Sequence, residues 1–429
     1  MKASRANYIQ GVVDLPGDKS ISHRAAMLAS IADGRTEITN FLAAEDCLST
    51  LACLRRLGVD IDRDETTVII EGVGLNGLRE PEAELDCGNS GTTARLISGI
   101  LAGQRFDSTL TGDGSLQRRP MSRVIDPLQK LGGRIDSNGG RMPLVIHGSM
   151  LSGIEQTLDV ASAQVKSCIL LAGLYADGIT TVIEPTPTRD HTECMLAWLG
   201  VDVAADDLAE GRRLSVNGGS RLNARDIEVP SDISSAAFFM TAAACLPGSE
   251  VDMPSVGYNP TRKGIADVLR NLGVKIEVTR EREQCGEPVA DLTVRGGIFS
   301  SSDNNIINGR IIANIIDEIP VLAILGTQLD GGIEIRDAEE LRVKETDRIH
   351  AVVSNLRRMN AKVDEFDDGF RVHRSDLKGS VVESFGDHRI AMAFGVAGIL
   401  ASGETHIDGA DCAAVSFPGF FEMLKNVVR

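Results

Sequence analysis

The sequence predicts an α/β protein of two similar domains, and three observations carry that reading. An apolar helix-like run, a Gly-containing turn and a short β-branched strand follow one another six times along the chain. A second helix, with Leu at helical spacing and Gly at its end, follows most of these copies. Three copies precede about Pro230 and three follow it.

In chain order, Arg24 to Ala32 leads through Gly34 to RTEITN, Arg95 to Leu101 through Gly103 to FDSTLTG, and Lys166 to Tyr175 through Gly178 to ITTVIE. Beyond Pro230 the same unit runs from Ser235 to Leu246 with SEVDM, from Pro320 to Leu329 with GIEIRD, and from Arg389 to Ala401 with ETHIDG. The second helices are LACLRRLGVDI, VIDPLQKLGGRI, MLAWLGVDV, IADVLRNLGVKIEV and the looser VVSNLRRMNAKVDE. The final FFEMLKNVVR has no strand after it, and the N-terminal segment Asn7 to Leu15 is the expected substitute. A single doubly wound sheet would also alternate helices and strands. Regular recurrence favours two repeated domains with a junction near EVPSDISS.

The 429 residues are 42% hydrophobic, enough for more than one packed domain. A formal net charge of −17 argues against nucleic acid or an anionic membrane as partner, since those need an extended basic field. An anionic ligand must then be met by a local basic cluster. The apolar stretches Ala236 to Leu246 and Ile390 to Ala401 fall short of the ~18 residues of a membrane span. MKASRANYIQG carries no secretory h-region. Eight cysteines without CxxC pairing read as reduced thiols, and the expected compartment is the cytoplasm.

Chemistry-bearing residues gather just ahead of each apolar helix, in GDKSISHR, CGNSGTTAR, ASAQVKS, PSDISSA, IDEIP and FGDHR. A helix N-terminus offers free N–H groups and the positive end of a dipole, which suits anions. Lys19, Ser20 and Arg24 fit a phosphate or carboxylate, although Ser is also an ordinary N-cap. The loop Gly88 to Thr92 lets backbone approach a ligand, and a tight strand-to-helix turn accounts for it equally. RRP at 118–120 and TRDHTE at 188–193 place Arg119 and Arg189 in loops, where Arg either grips an anion or is merely solvated. RVKETDR at 342–348 sets Glu345 between Lys344 and Arg348, which share a face if the segment is helical. A solvated charged helix is the alternative there.

Taken in order, PGDKSISHR, GNSGTTAR, RRP, SAQVKS, RDHTE, RVKETDR and GDHR resemble the 5-enolpyruvylshikimate-3-phosphate synthase family over nearly the whole chain, its second sequence branch in particular. Each motif alone is common, and the ordered set is specific. The resemblance implies an inverse α/β barrel fold of two domains, each of three βαβαββ units, with the active site in the interdomain cleft. Residues 1–17 and 231–429 would form one domain and 18–230 the other.

The same resemblance implies contacts from Lys19, Ser20, Arg24, Ser162, Ala163 through its backbone, Gln164, Arg189, Asp317 and Lys344 to shikimate 3-phosphate. Lys19, Gly91, Arg119, Gln164, Arg348 and Arg389 would hold phosphoenolpyruvate, with Asn89 and His388 in support. Asp317 and Glu345 would be the acid/base carboxylates, with Lys19 an alternative proton carrier. No cofactor or metal is expected, and a monomer is the expected working form. In the family, Gly at the place of Gly91 leaves room for glyphosate-like inhibitors and Ala excludes them. Two positions depart from the pattern of the first branch: Val415 stands where a Lys precedes Ser/Thr-Phe-Pro, and Glu340 where an Asn stands. The alternatives are a transferase that passes the same group to UDP-N-acetylglucosamine, and a non-catalytic anion-binding protein on the same repeats.

Overall fold

Five sheets of four strands and one of three account for the strands of the computed structural model, which describes residues 1–297 and 305–429. Each sheet follows one pattern. In the first, Asp33–Thr39 pairs parallel with Ile227–Glu228 on one side and antiparallel with Thr67–Val73 on the other, and Asp60–Asp64 completes it. Ser108–Thr111, Ile179–Glu184, Glu250–Gly257 and Ile333–Ile335 occupy the place of Asp33–Thr39 in the next four.

The chain divides into two units. The amino-half unit is Gly17–Val229 with Glu283–Glu287; the carboxy-half unit is Met1–Pro16, Pro230–Arg282 and Pro288–Arg429. Each encloses its own apolar core. Six helices are buried along nearly their whole length: Lys19–Ser30, Gly91–Ala102, Ala163–Gly173, Ile233–Cys245, Ile319–Gly326 and His388–Leu400. Beyond their polar starts these helices are largely apolar all round, as suits a helix enclosed by protein. In Ile233–Cys245 the side chains of Phe238, Phe239 and Met240 are at most 1% exposed. At ~1.5–3 kcal/mol for each such side chain, tertiary packing holds the helix more than propensity does.

Apart from the mostly buried His191–Trp198, the second helices are amphipathic and lie half in solvent, as in Ser122–Lys130, where Val124, Ile125 and Leu128 face inward. Each ends in a residue with positive φ: Gly58, Gly132, Gly200 and Gly273 in four copies and Asn360 in the fifth. That left-handed turn is the reason for Gly in LRRLG, LQKLG, LAWLG and LRNLG, and Asn is the substitute that tolerates it best.

Two local expectations are corrected. The last sheet receives Lys2–Ser4, paired antiparallel with Glu404–Asp408, and not the segment Asn7 to Leu15. From the latter, Gln10–Val12 instead pairs parallel with Glu250–Gly257 in the fourth copy. The buried helices also begin earlier than their apolar runs, so the polar residues ahead of those runs form the first helical turn itself. Among the described residues no helix is long and apolar enough to cross a membrane, and the eight cysteines are free thiols.

Candidate active site

The amino-half unit supplies three helix starts. Asp18 caps the Lys19 helix by accepting from Ile21 N at 2.9 Å, Ser90 caps the Gly91 helix through Thr93 N at 3.1 Å, and Ser162 caps the Ala163 helix through Val165 N at 3.4 Å. Capping satisfies one of the orphan N–H groups and leaves others of the first turn to meet an anion. Lys19 forms an ion pair with Asp46. Ser20 lies in the first turn, and its carbonyl accepts from Arg24 Nη1 at 3.0 Å.

Arg24 is 3% exposed and donates through Nε to Thr192 Oγ1 at 2.7 Å and through Nη2 to Ser167 Oγ at 2.8 Å. Burial pushes its pKa down to about 10; Glu193 and Asp18 oppose that, while the like charge of Arg189 adds to it. Arg24 thus remains charged at neutral pH, with Arg189 inside its electrostatic field. Two guanidinium groups so placed form a local positive field in a chain that is acidic as a whole.

A second set forms around the Gly91 turn. Asn89 accepts from Arg119 Nη2 at 2.6 Å and donates to Asp113 at 2.6 Å. Gln164 donates to Thr92 Oγ1 at 2.9 Å and accepts from Arg95 Nη1 at 2.6 Å. A Cβ built on Gly91 would lie 3.1 Å from Arg95 Nη1 and 3.3 Å from Arg119 Nη1. Gly91, Asn89, Arg119 and Gln164 are therefore brought together, and Arg95 joins them without having been singled out in the sequence.

In the carboxy-half unit, Arg348 is the centre. Its guanidinium, 2% exposed, donates to Asp387 at 2.8 Å, to Asp317 at 3.3 Å and to Glu345 at 2.7 Å. Burial works to lower its pKa, and Asp387, Glu345 and Asp317 more than offset that, lifting it above the ordinary arginine value. Asp317 and Glu345 thus share one cation with side chains 19% and 21% exposed, whereas Asp387 is fully buried. Asp387 also caps the His388 helix through Arg389 N at 2.8 Å, which ties Arg348 to the turn carrying His388 and Arg389.

Lys344 has its pKa lowered by burial against the pull of Asp317 and Glu340. Glu340, where the first branch of the family has Asn, stands 4.0 Å from it. RVKETDR is not one helix: a 3-10 turn covers Glu339–Val343, Lys344 is extended, and the α-helix begins at Arg348 behind its cap Asp347. Arg389 lies 4.0 Å from Glu318, and its Nε is buried without a hydrogen-bond partner. Val415 closes the 3-10 turn Ala410–Val415 and brings no charge.

Comparison with known families decides the assignment. The model for EPSP synthase (3-phosphoshikimate 1-carboxyvinyltransferase) matches residues 4–424. The chain belongs to the EPSP synthase family. A Geobacillus kaustophilus protein named 3-phosphoshikimate 1-carboxyvinyltransferase is 50% identical over 430 residues, covering 99% of both chains. One of the same name from Salinibacter ruber is 51% identical over 429 residues, covering 99% of this chain and 98% of that one. Among solved structures, EPSP synthase from Acinetobacter baumannii superposes with a TM-score of 0.87 at 42% identity, over 100% of this chain and 98% of that one. The enolpyruvyl transferase NikO from Streptomyces tendae, at 17% identity and a TM-score of 0.80 over 99% of this chain and 96% of that one, shares the fold. The two-domain α/β architecture read from the repeats is the architecture of the EPSP synthase family.

Proposed function

We propose that this chain is a 3-phosphoshikimate 1-carboxyvinyltransferase, transferring the enolpyruvyl group of phosphoenolpyruvate to the 5-hydroxyl of shikimate 3-phosphate and releasing phosphate, a step of aromatic amino-acid biosynthesis. The observation that carries it, beside the family match, is the convergence of Asp317 and Glu345 on one buried guanidinium, Arg348. The reaction adds a proton to the methylene carbon and the hydroxyl oxygen to its neighbour; loss of phosphate and of a methyl proton then restores the double bond. Asp317 takes or orients the hydroxyl proton, and Glu345 delivers and removes the proton at the methyl carbon, with Lys19 the alternative carrier.

Both units supply anion-binding groups. Arg24, Arg189, Ser162, Ala163 N–H and Gln164 take the shikimate phosphate; Gly91, Arg119, Arg348 and Arg389 take phosphoenolpyruvate, with Asn89 and His388 in support. Fixed cations aimed at both anions offset the repulsion between them. Free thiols support a cytoplasmic enzyme, and a monomer is the proposed working form.

A phosphate-release assay that compares shikimate 3-phosphate with UDP-N-acetylglucosamine tests the reading. Release with the first acceptor alone is expected; release with the second alone, or with neither, overturns it. Lys19→Ala should weaken both substrates in calorimetry, by about tenfold or more, because it removes a cation and leaves Asp46 to repel them. Unchanged binding of either substrate removes Lys19 from that contact. Gly91→Ala presses a methyl group against two guanidinium ends and should raise KM for phosphoenolpyruvate by about tenfold, with shikimate 3-phosphate little affected. Glyphosate-like inhibitors should lose at least as much, and unchanged inhibition contradicts crowding at Gly91.

A further inference from the structure

Behind Arg189 lies an ion cluster that the reaction does not use. Lys166 Nζ stands 3.0 Å from Glu184 Oε2 and 2.7 Å from Glu193 Oε1, with side-chain exposures of 1%, 1% and 10%. The three residues come from three elements: the Ala163 helix, the end of the strand Ile179–Glu184, and the helix His191–Trp198. A buried ion cluster has little stability advantage over apolar packing of the same volume, so its presence asks what it places.

Its contacts give the answer. Lys166 Nζ also donates to the main-chain carbonyl of Thr188 at 3.3 Å, and Thr188 Oγ1 donates to Glu184 Oε1. Thr188 is held at both its carbonyl and its hydroxyl. It is the buried residue of the connection 185–190, in which Pro185 and Pro187 are exposed and have no N–H to pair with a neighbouring strand. The residue after it is Arg189. One position along the same two helices, Ser167 and Thr192 hold Arg24.

We propose that Lys166 and Glu184 are positioning residues that clamp Thr188 and thereby aim Arg189 at the phosphate of shikimate 3-phosphate. The inference rests on the role given to Arg189 above. Lys166 and Glu184 touch no substrate in it; they fix the main chain from which the guanidinium extends, as Ser167 and Thr192 fix Arg24. Glu193 offsets the remaining charge.

Thr188→Val keeps the side-chain shape and the ion cluster and removes one arm of the clamp; Lys166→Met removes the other. By calorimetry each is expected to weaken shikimate 3-phosphate by about tenfold while shikimate, which lacks the phosphate, binds as before. KM for phosphoenolpyruvate and kcat at saturation should stay within about twofold of the parent, the scale of a contact weaker than a lost hydrogen bond. Thr188→Val in an Arg189→Ala background should add nothing, because the two act as one unit. Lys166→Met can fail to fold, since two buried carboxylates lose their cation, and Thr188→Val then decides.

Weaker binding in Arg189→Ala but parental binding in Thr188→Val overturns the clamp and leaves Arg189 in place. Equal weakening of shikimate and shikimate 3-phosphate also overturns it, because a general loosening of the fold does not read the phosphate. Parental binding of shikimate 3-phosphate by Arg189→Ala overturns the assignment of Arg189 and the clamp with it.

Discussion

Glu345→Gln is expected to lower kcat by about 10²-fold or more while both substrates still bind, and Asp317→Asn to do the same. Each substitution removes a titratable proton and keeps the size of the side chain and an oxygen that can accept from Arg348. The guanidinium retains Asp387 at 2.8 Å, so its burial stays compensated and the fold is not put at risk. The loss should therefore appear in kcat and kcat/KM together, the pattern of an interaction made in the transition state. Steady-state phosphate release gives the kinetic constants and calorimetry the affinities. Because both carboxylates share Arg348, the double variant should fall short of the product of the single effects. Turnover within a few-fold of the parent removes that residue from proton transfer.

The sequence made the repeats legible because their signals are local. Apolar periodicity marks the buried helices, and Gly58, Gly132, Gly200 and Gly273 mark positive φ at the ends of the next ones. The pairing of Lys2–Ser4 and of Gln10–Val12 was not legible: strands of three residues carry little pattern, and their partners lie hundreds of residues away. The cations of the site were visible as charges inside Gly- and Ser-rich helix starts. Their carboxylate partners were less so. Asp46, Asp387 and Glu318 each sit at or near a helix start, where an acid reads as a cap or a dipole partner, and only the tertiary structure shows them buried against Lys19, Arg348 and Arg262. Lys166 belongs to the SAQVKS segment, yet nothing local says that an ammonium group there faces two glutamates.

Arg262→Met should destabilise the protein by about 3–5 kcal/mol, through the carboxy-half unit. Arg262 donates to both oxygens of Glu318, at 3.2 and 3.1 Å, and Ser234 Oγ bonds to both side chains. The pair is 3% and 0% exposed, so solvent cannot take over the charge of Glu318 once its partner is gone. Arg262→Met with Glu318→Leu removes both charges together and should recover most of the loss, since apolar packing of similar volume replaces a buried pair at little cost. The chain has one Trp, Trp198, in the amino-half unit, so its fluorescence follows that unit while far-UV circular dichroism follows both. In urea, the variant should separate an early transition in the dichroism from a later one in the fluorescence, and the double substitution should bring them back together. An unchanged midpoint for Arg262→Met shows instead that Glu318 draws its compensation from another cation, with Arg389 at 4.0 Å the candidate, and Arg389→Met in that background then has to carry the loss.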